Sequence, residues 1–257
     1  VEFDWRMFER DGFLAGSDAR RHDELVRALA APHVSAVIAA RGGYGITRIA
    51  SGIDFEPLRR TPKWLVGFSD VTALHVEAQA AGVASLHAHH AAGLGRGDAH
   101  AREHWLRALE EPLAPRTLHG AVERGGGVVR GPLVGGNLTV LFTCAVTGRL
   151  RLPPGAILAL EDVTEASYRI DRMLSALRLG GHLKGIAGVA LGDFTDCAPG
   201  PHRVPVDAVL RRELEALGVP VVSGLPFGHD LQNEPLLLGA EAELDAERGQ
   251  MRLGALD

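Results

Sequence analysis

The stretch Trp64-Leu65-Val66-Gly67-Phe68-Ser69-Asp70-Val71-Thr72 decides the fold. Trp64 to Phe68 reads as a buried apolar strand, and the run from Val71 to Ala81 is helical in character and stops at Gly82, a residue that ends helices readily. A strand passing almost directly into a helix is half of a βαβ unit. The same alternation appears upstream, where His22 to Ala31 predicts a helix, Val34 to Ala40 a buried strand, and Gly45 to Ser51 a turn or short helix. Parallel strands joined by helices pack with helices on both faces, so the expectation is an α/β fold opening with a parallel-sheet domain.

Working outward, the composition shifts to Pro, Gly and short polar stretches between Glu111 and Gly136, including the triplet Gly125 to Gly127. This has the character of a connector and sets the expected division: residues 1–115 as an N-terminal domain, 116–130 as linker, 131–257 as a C-terminal domain. Beyond it come an apolar strand from Ala156 to Leu160, a helix from Ser167 to Leu179, a strand from Ile186 to Leu191, a helix from Val206 to Leu217 and a strand from Val219 to Ser223. Ala242 to Leu253 alternates like an edge hairpin around Arg248 and Gly249. No internal repeat stands out.

The 257 residues carry 46% apolar and 23% charged side chains, ordinary values for a globular chain. A net charge of -5 with no Lys/Arg block argues against a nucleic-acid partner or an anionic membrane surface. No apolar run approaches the roughly 20 residues needed to span a bilayer, and Val1 to Arg10 has no signal-peptide pattern. Cys144 and Cys197 lie far apart in apolar or loop contexts, which fits a reducing compartment, so the expected location is the cytoplasm.

Four segments carry candidate chemistry. Ser69 sits between strand and helix, where a sharp turn can present a hydroxyl above the sheet and where the helix start and the Asp70 amide favour developing negative charge. The elbow pattern Gly-x-Ser-x-Gly is only partly matched, since Val71 stands at its last position, and helix capping by Ser69 or Asp70 is the competing reading. Arg41-Gly42-Gly43-Tyr44-Gly45 follows a strand and lets backbone amides approach a ligand, although as a dinucleotide fingerprint it lacks its third glycine, Arg48 standing there instead. Glu161-Asp162 lies at a strand end and can hold an imidazole; an acidic helix start is the ordinary alternative. His229 lies on the loop Gly224-Leu225-Pro226-Phe227-Gly228-His229-Asp230, suited to proton transfer near neutral pH, against the alternative of a solvent-exposed loop histidine. Histidines also crowd at His87, His89 and His90, with His100 and His104 beyond, which raises a metal-dependent hydrolase as a rival; the spacing matches no metallohydrolase motif, and no metal or cofactor is assigned.

Taken together, Arg41 to Gly45, Gly67 to Asp70, Glu161-Asp162-Val163 with Glu165, Tyr168, Ile170, Asp171 and Arg172, Gly192-Asp193-Phe194, and Pro226-Phe227-Gly228-His229 resemble the LD-carboxypeptidase family of serine peptidases, in the family's order. The resemblance runs from Gly12–Asp18 to Leu236–Gly239. It implies an N-terminal Rossmann-like domain, a smaller β-rich C-terminal domain, and a Ser-His-Glu triad assembled between them. Position by position the triad falls on Ser69, His229 and Glu161, with the Asp70 amide and a Gly42 or Gly43 amide, Gly43 for preference, as oxyanion hole and Arg41 or Arg172 as candidates for the cation that a substrate carboxylate needs. The implied reaction is hydrolysis of the amide between a diamino acid's L-centre and the terminal D-alanine of a murein tetrapeptide, in cell-wall recycling, without a cofactor. A homodimer is also a family expectation.

Two departures stand out. Val1 opens the chain where the family has a strand and a Pro-Ser loop ahead of the Gly12–Asp18 block, and His87-Ala88-His89 stands where relatives tend to read His-Gly-Pro. Other readings are a microcin-immunity amidase acting on aminoacyl-nucleotide conjugates, for which Trp105 is the aromatic in view, and a non-catalytic binding protein for a small ligand.

Overall fold

The computed structural model describes residues 1–256. Its strands are β1 (Ala36–Ile38), β2 (Trp64–Gly67), β3 (Ser85–His87), β4 (Arg116–His119), β5 (Ala121–Arg124), β6 (Val128–Asn137), β7 (Ile157–Val163), β8 (Gly188–Thr195), β9 (Val221–Ser223), β10 (Leu236–Leu238), β11 (Glu241–Asp245) and β12 (Gln250–Leu253). The helices are α1 (Asp18–Ala30), α2 (Glu56–Arg60), α3 (Thr72–Ala80), α4 (Ala91–Leu94), α5 (Ala99–Glu110), α6 (Leu138–Val146), α7 (Ser167–Leu179) and α8 (Val206–Glu215). A 3-10 turn, Ser69–Val71, stands between β2 and α3.

Two sheets organise the chain. The first has the order β1-β2-β3-β10, with β1, β2 and β3 parallel as the βαβ pattern predicts and β10 added antiparallel from the far end of the sequence. The second has the order β4-β12-β11-β6-β7-β8-β9-β5, parallel from β6 through β9 and antiparallel elsewhere. Its two outermost strands, β4 and β5, are separated in sequence by Gly120 alone, so the sheet has to curl until its edges nearly meet. Gly120 is required there because a Cβ would stand 2.2 Å from the Ser223 carbonyl oxygen.

Residues 116–130, expected as a connector, are therefore largely strand. Their short, half-exposed segments lack an apolar run, and what makes them strands is pairing with β12 and β9, which lie more than 90 residues away in the chain. The hairpin of β11 and β12 forms where alternation placed it, but it is internal rather than at an edge, because β4 covers β12 and β6 covers β11. The second sheet, with eight strands against four, is the larger of the two.

Alternation along the strands of the second sheet gives two cores, and a third, smaller cluster of Val66, Leu86, Ala88, Trp105 and Ala108 lies on the first sheet. Leu133, Ile157, Ala159, Ala190, Val222, Leu244 and Met251 fill the inside of the curled sheet, closed at one end by Leu225, Phe227 and Leu236. Val134, Leu158, Leu160, Val189 and Leu191, on the opposite face, pack with Leu141 of α6, Leu174 and Leu177 of α7 and Leu210 of α8. This second core continues through Leu74 of α3 to Leu65 of β2, so one apolar body joins both sheets. Each fully buried leucine stabilises it by roughly 1.5–3 kcal/mol.

Candidate active site

Ser69 is held by the turn between β2 and α3 in the left-handed region, at φ 63°. A non-glycine residue there is costly, by roughly 1–2 kcal/mol, and persists where the surroundings enforce it. Several contacts do so. Gly67 lets the chain fold back, since a Cβ would stand 2.8 Å from Val71 Cγ2 and 3.1 Å from Ala39 Cβ. The Asp70 carboxylate is buried and accepts the Ile46 amide at 2.9 Å, which ties the turn to the loop after β1. In that loop Gly42 lies against the serine, because a Cβ on it would meet Ser69 Cβ at 3.2 Å and Oγ at 3.3 Å. Burial pushes the Asp70 carboxyl up to about 6, against the pull of the Ile46 amide and of Arg21.

The second half of the chain reaches the same point. Glu161 lies within β7, not past its end, on the face that Ile157 and Ala159 present to the inside of the curled sheet, and it is fully buried. Asp162 faces the other way, where its carboxylate accepts from Asn137 Nδ2 at 2.9 Å, from the Thr139 amide at 3.0 Å and from Thr139 Oγ1 at 2.8 Å. A bulge in the pairing of β7 with β8 falls between Leu160 and Asp162, at the site itself. His229 stands on the loop after β9. Gly228 before it has φ 128° and packs so tightly that a Cβ would lie 3.1 Å from Glu161 Cβ and 3.2 Å from Asp193 Cβ. Its amide donates to Asn233 Oδ1 at 3.3 Å, which closes the loop on itself.

These placements bring three sequence-distant residues into one chain of hydrogen bonds. His229 Nδ1 is 2.6 Å from Glu161 Oε2, and His229 Nε2 is 3.1 Å from Ser69 Oγ. A carboxylate can only accept, so Nδ1 carries the proton and Nε2 is left to accept from the serine hydroxyl. Burial raises the Glu161 carboxyl, and the hydrogen bond and charge of His229 oppose that rise. Phe68 supports the imidazole, its ring centroid 4.7 Å from that of His229.

Of the other residues singled out, Arg41 stays beside the serine, its Nε donating to the Gly42 carbonyl at 3.1 Å, and Gly43 has φ 139°, a conformation that favours glycine. Arg172 is elsewhere, over the Tyr168 ring at 5.4 Å. The histidines fall into two groups, His87, His89 and His90 around Phe68 and His100 with His104 elsewhere. His87 is wholly buried among Phe68, His75 and Phe227, His90 caps α4 by accepting the Gly93 amide at 3.0 Å, and His100 and His104 gather around Glu234 instead. Trp105 is buried, its indole N–H donating to the His89 carbonyl at 2.9 Å. Asp193 received no role from the sequence, yet it lies beside Gly228, and burial with the nearby Asp230 charge pushes its carboxyl up to about 6.

The fold brings an imidazole between a serine at a strand-to-helix turn and a buried carboxylate, and comparison with known proteins sets the class, a serine carboxypeptidase. The chain belongs to the LD-carboxypeptidase family: the model of that family's N-terminal domain matches residues 1–88 and that of its C-terminal domain residues 130–244. It is 39% identical over 255 residues to a putative carboxypeptidase of Synechocystis, covering 98% of this chain and 83% of that one. It is 35% identical over 247 residues to the murein tetrapeptide carboxypeptidase of Pseudomonas aeruginosa, covering 92% and 80%. The crystal structure of muramoyltetrapeptide carboxypeptidase from Oxalobacter formigenes superposes with a TM-score of 0.87 at 31% identity, covering 98% of this chain and 88% of that one.

Proposed function

We propose that Ser69, His229 and Glu161 are the catalytic triad of an L,D-carboxypeptidase that releases the terminal D-alanine of murein tetrapeptides. The observation that carries this reading is the bridging imidazole, 2.6 Å from the carboxylate and 3.1 Å from the hydroxyl. Ser69 Oγ attacks the scissile carbonyl as its proton passes to His229 Nε2, and the new oxyanion takes hydrogen bonds from the Asp70 and Gly43 amides. His229 then gives that proton to the departing D-alanine nitrogen, and a water activated by the same imidazole hydrolyses the acyl-enzyme. Glu161 fixes the tautomer and stabilises the imidazolium. Arg41, beside Gly42 on the loop that lies against the serine, is our candidate for the cation that pairs with the free carboxylate an exopeptidase must recognise.

A role in murein-peptide recycling would suit a cytoplasmic enzyme. Among the described residues no helix is long and apolar enough to cross a membrane. Cys144 and Cys197 are both free thiols, and burial pushes them up to about 12 and about 11, which leaves them unreactive.

The test is D-alanine release from an L,D-tetrapeptide by the wild type and by Ser69→Ala, each with and without a chelator. Release by the wild type that survives chelation and vanishes in Ser69→Ala is the expected result. Release that survives in Ser69→Ala refutes the serine mechanism. An aminoacyl-nucleotide amide belongs in the same assay. Trp105 is buried and offers no surface for a base, whereas Phe13 and Tyr44 are exposed, 5.6 Å apart, next to the Gly42 loop. Preference for that amide over the tetrapeptide would move the substrate assignment and leave the triad standing.

A further inference from the structure

His100 and His104 stand one turn apart on α5, a spacing that puts both imidazoles on one face, and their ring centroids are 3.9 Å apart. Glu234, from the loop that carries His229, reaches this face. Its carboxylate oxygens lie 2.7 Å and 2.9 Å from His104 Nδ1, and one of them lies 3.9 Å from His100 Nε2. One donor atom from each of the three residues falls within 4.8 Å of the other two. Two imidazoles and a carboxylate form a donor set suited to a borderline divalent ion.

The spacing is near what such an ion needs. Bonds of about 2.0–2.1 Å to zinc put tetrahedral ligands roughly 3.3 Å apart, so the 2.7 Å separation must open and the 3.9 Å one close, each by roughly half an ångström. His100 and His104 are exposed enough to turn by that much, with 59% and 35% of their side chains accessible, while Glu234 at 13% is the fixed point. The Glu234 amide donates to the Pro226 carbonyl at 2.8 Å. Arg116 Nη1 stands 3.7 Å from its Oε2, orienting the carboxylate while its charge limits affinity for a cation. A cavity of about 290 Å³ lined by His104, Arg116, His119 and Glu234 gives water access to the remaining positions.

We propose that His100, His104 and Glu234 bind a divalent transition metal of the zinc class, completed by water, and that the ion ties α5 to the loop bearing His229. The helix side is already anchored through Trp105, so the ion acts on the loop. Its part is to hold the loop and not to react, which keeps the site separate from the serine chemistry.

The test uses the full chain, free of any affinity tag and stripped by chelator, titrated with Zn²⁺ by calorimetry and with Co²⁺ by visible absorption. One ion per chain is expected, with His100→Ala, His104→Ala and Glu234→Gln each weakening uptake at least about tenfold and His33→Ala, at an unrelated surface position, leaving it unchanged. Amide exchange across 229–235 should slow on adding Zn²⁺ to the wild type and not to His104→Ala. Folded wild type that takes up no ion, or uptake unchanged in the His100→Ala/His104→Ala double variant, overturns the site. Unaltered exchange with the ion bound overturns the clamp. None of these readouts depends on peptidase activity.

Discussion

Replacing Ser69 in two ways separates the strain of its backbone from the chemistry of its hydroxyl. Ser69→Ala and Ser69→Gly both remove Oγ and with it the 3.1 Å contact to His229 Nε2, so that loss cancels between them. What differs is the cost of φ 63°, which alanine keeps and glycine does not. Relief of a left-handed residue is worth about 1–2 kcal/mol, and the extra freedom of glycine in the unfolded chain returns about 0.5–1 kcal/mol of it. The glycine variant should therefore be more stable than the alanine variant by about 0.5–1 kcal/mol, or roughly 1–4 °C in Tm for a chain of this size. Urea unfolding at constant m value, with D-alanine release measured on the same samples, provides the assay. Release should be absent from both variants. A Ser69→Ala protein as stable as Ser69→Gly, or more so, would refute the claim that the turn holds the serine under strain.

Two further outcomes follow from neighbouring groups. Glu161→Gln keeps the shape but lets the amide donate to His229 Nδ1, which turns the Nε2 proton toward Ser69; kcat should fall by about 10⁴ with KM little changed, and a loss under tenfold would show that the carboxylate does not set the tautomer. Asp70 has its folded-state carboxyl raised to about 6 from 3.8, so between about pH 4 and 6 the folded state holds more protons than the unfolded one and stability falls as pH rises. The shift corresponds to about 3 kcal/mol at most. Asp70→Asn keeps an acceptor for the Ile46 amide and should gain on the wild type by up to that amount from pH 4 to pH 7. His75 and His90, both lowered to about 4, tilt stability the other way in the same range, so the difference between the two proteins is the quantity to follow, and a flat difference would remove Asp70 as a buried titrating group.

The parts of this molecule legible in the sequence are those whose cause is local. The strand, turn and helix around Ser69 could be read because apolar run, turn and helical run are adjacent, and the helix Ser167–Leu179 was bounded correctly by its own periodicity. The strands in 116–130 were not legible, since Gly120 and its neighbours answer to Ser223 and β12, and nothing nearby in the sequence announces those partners. The proposed triad has the same difficulty in stronger form. His229 is 160 residues from Ser69 and 68 from Glu161, so composition and period could nominate each residue but not their meeting, and only the resemblance to a family joined them.

Asn137 shows what holds such distant residues in register. Its amide donates to Thr72 Oγ1 at 3.0 Å, at the start of the helix that follows Ser69, and Gly136 before it leaves room for that contact, a Cβ there standing 2.5 Å from the same oxygen. Its Nδ2 donates to Asp162, next to Glu161, and its Oδ1 accepts the Val140 amide and caps α6. One buried residue, through its backbone N–H and its side chain, thus joins the helix behind the serine, the strand carrying the glutamate and the helix α6. A serine–imidazole contact tolerates displacement of only a few tenths of an ångström before the hydrogen bond weakens, and flexible loops on two sheets would not hold that tolerance by themselves. The sequence signal for this role was a modest one, an asparagine after two glycines and before an apolar helix, which reads as an ordinary N-cap. That it also bridges the two halves is visible only once β6 and β7 are paired side by side, with Asn137 opposite Glu161.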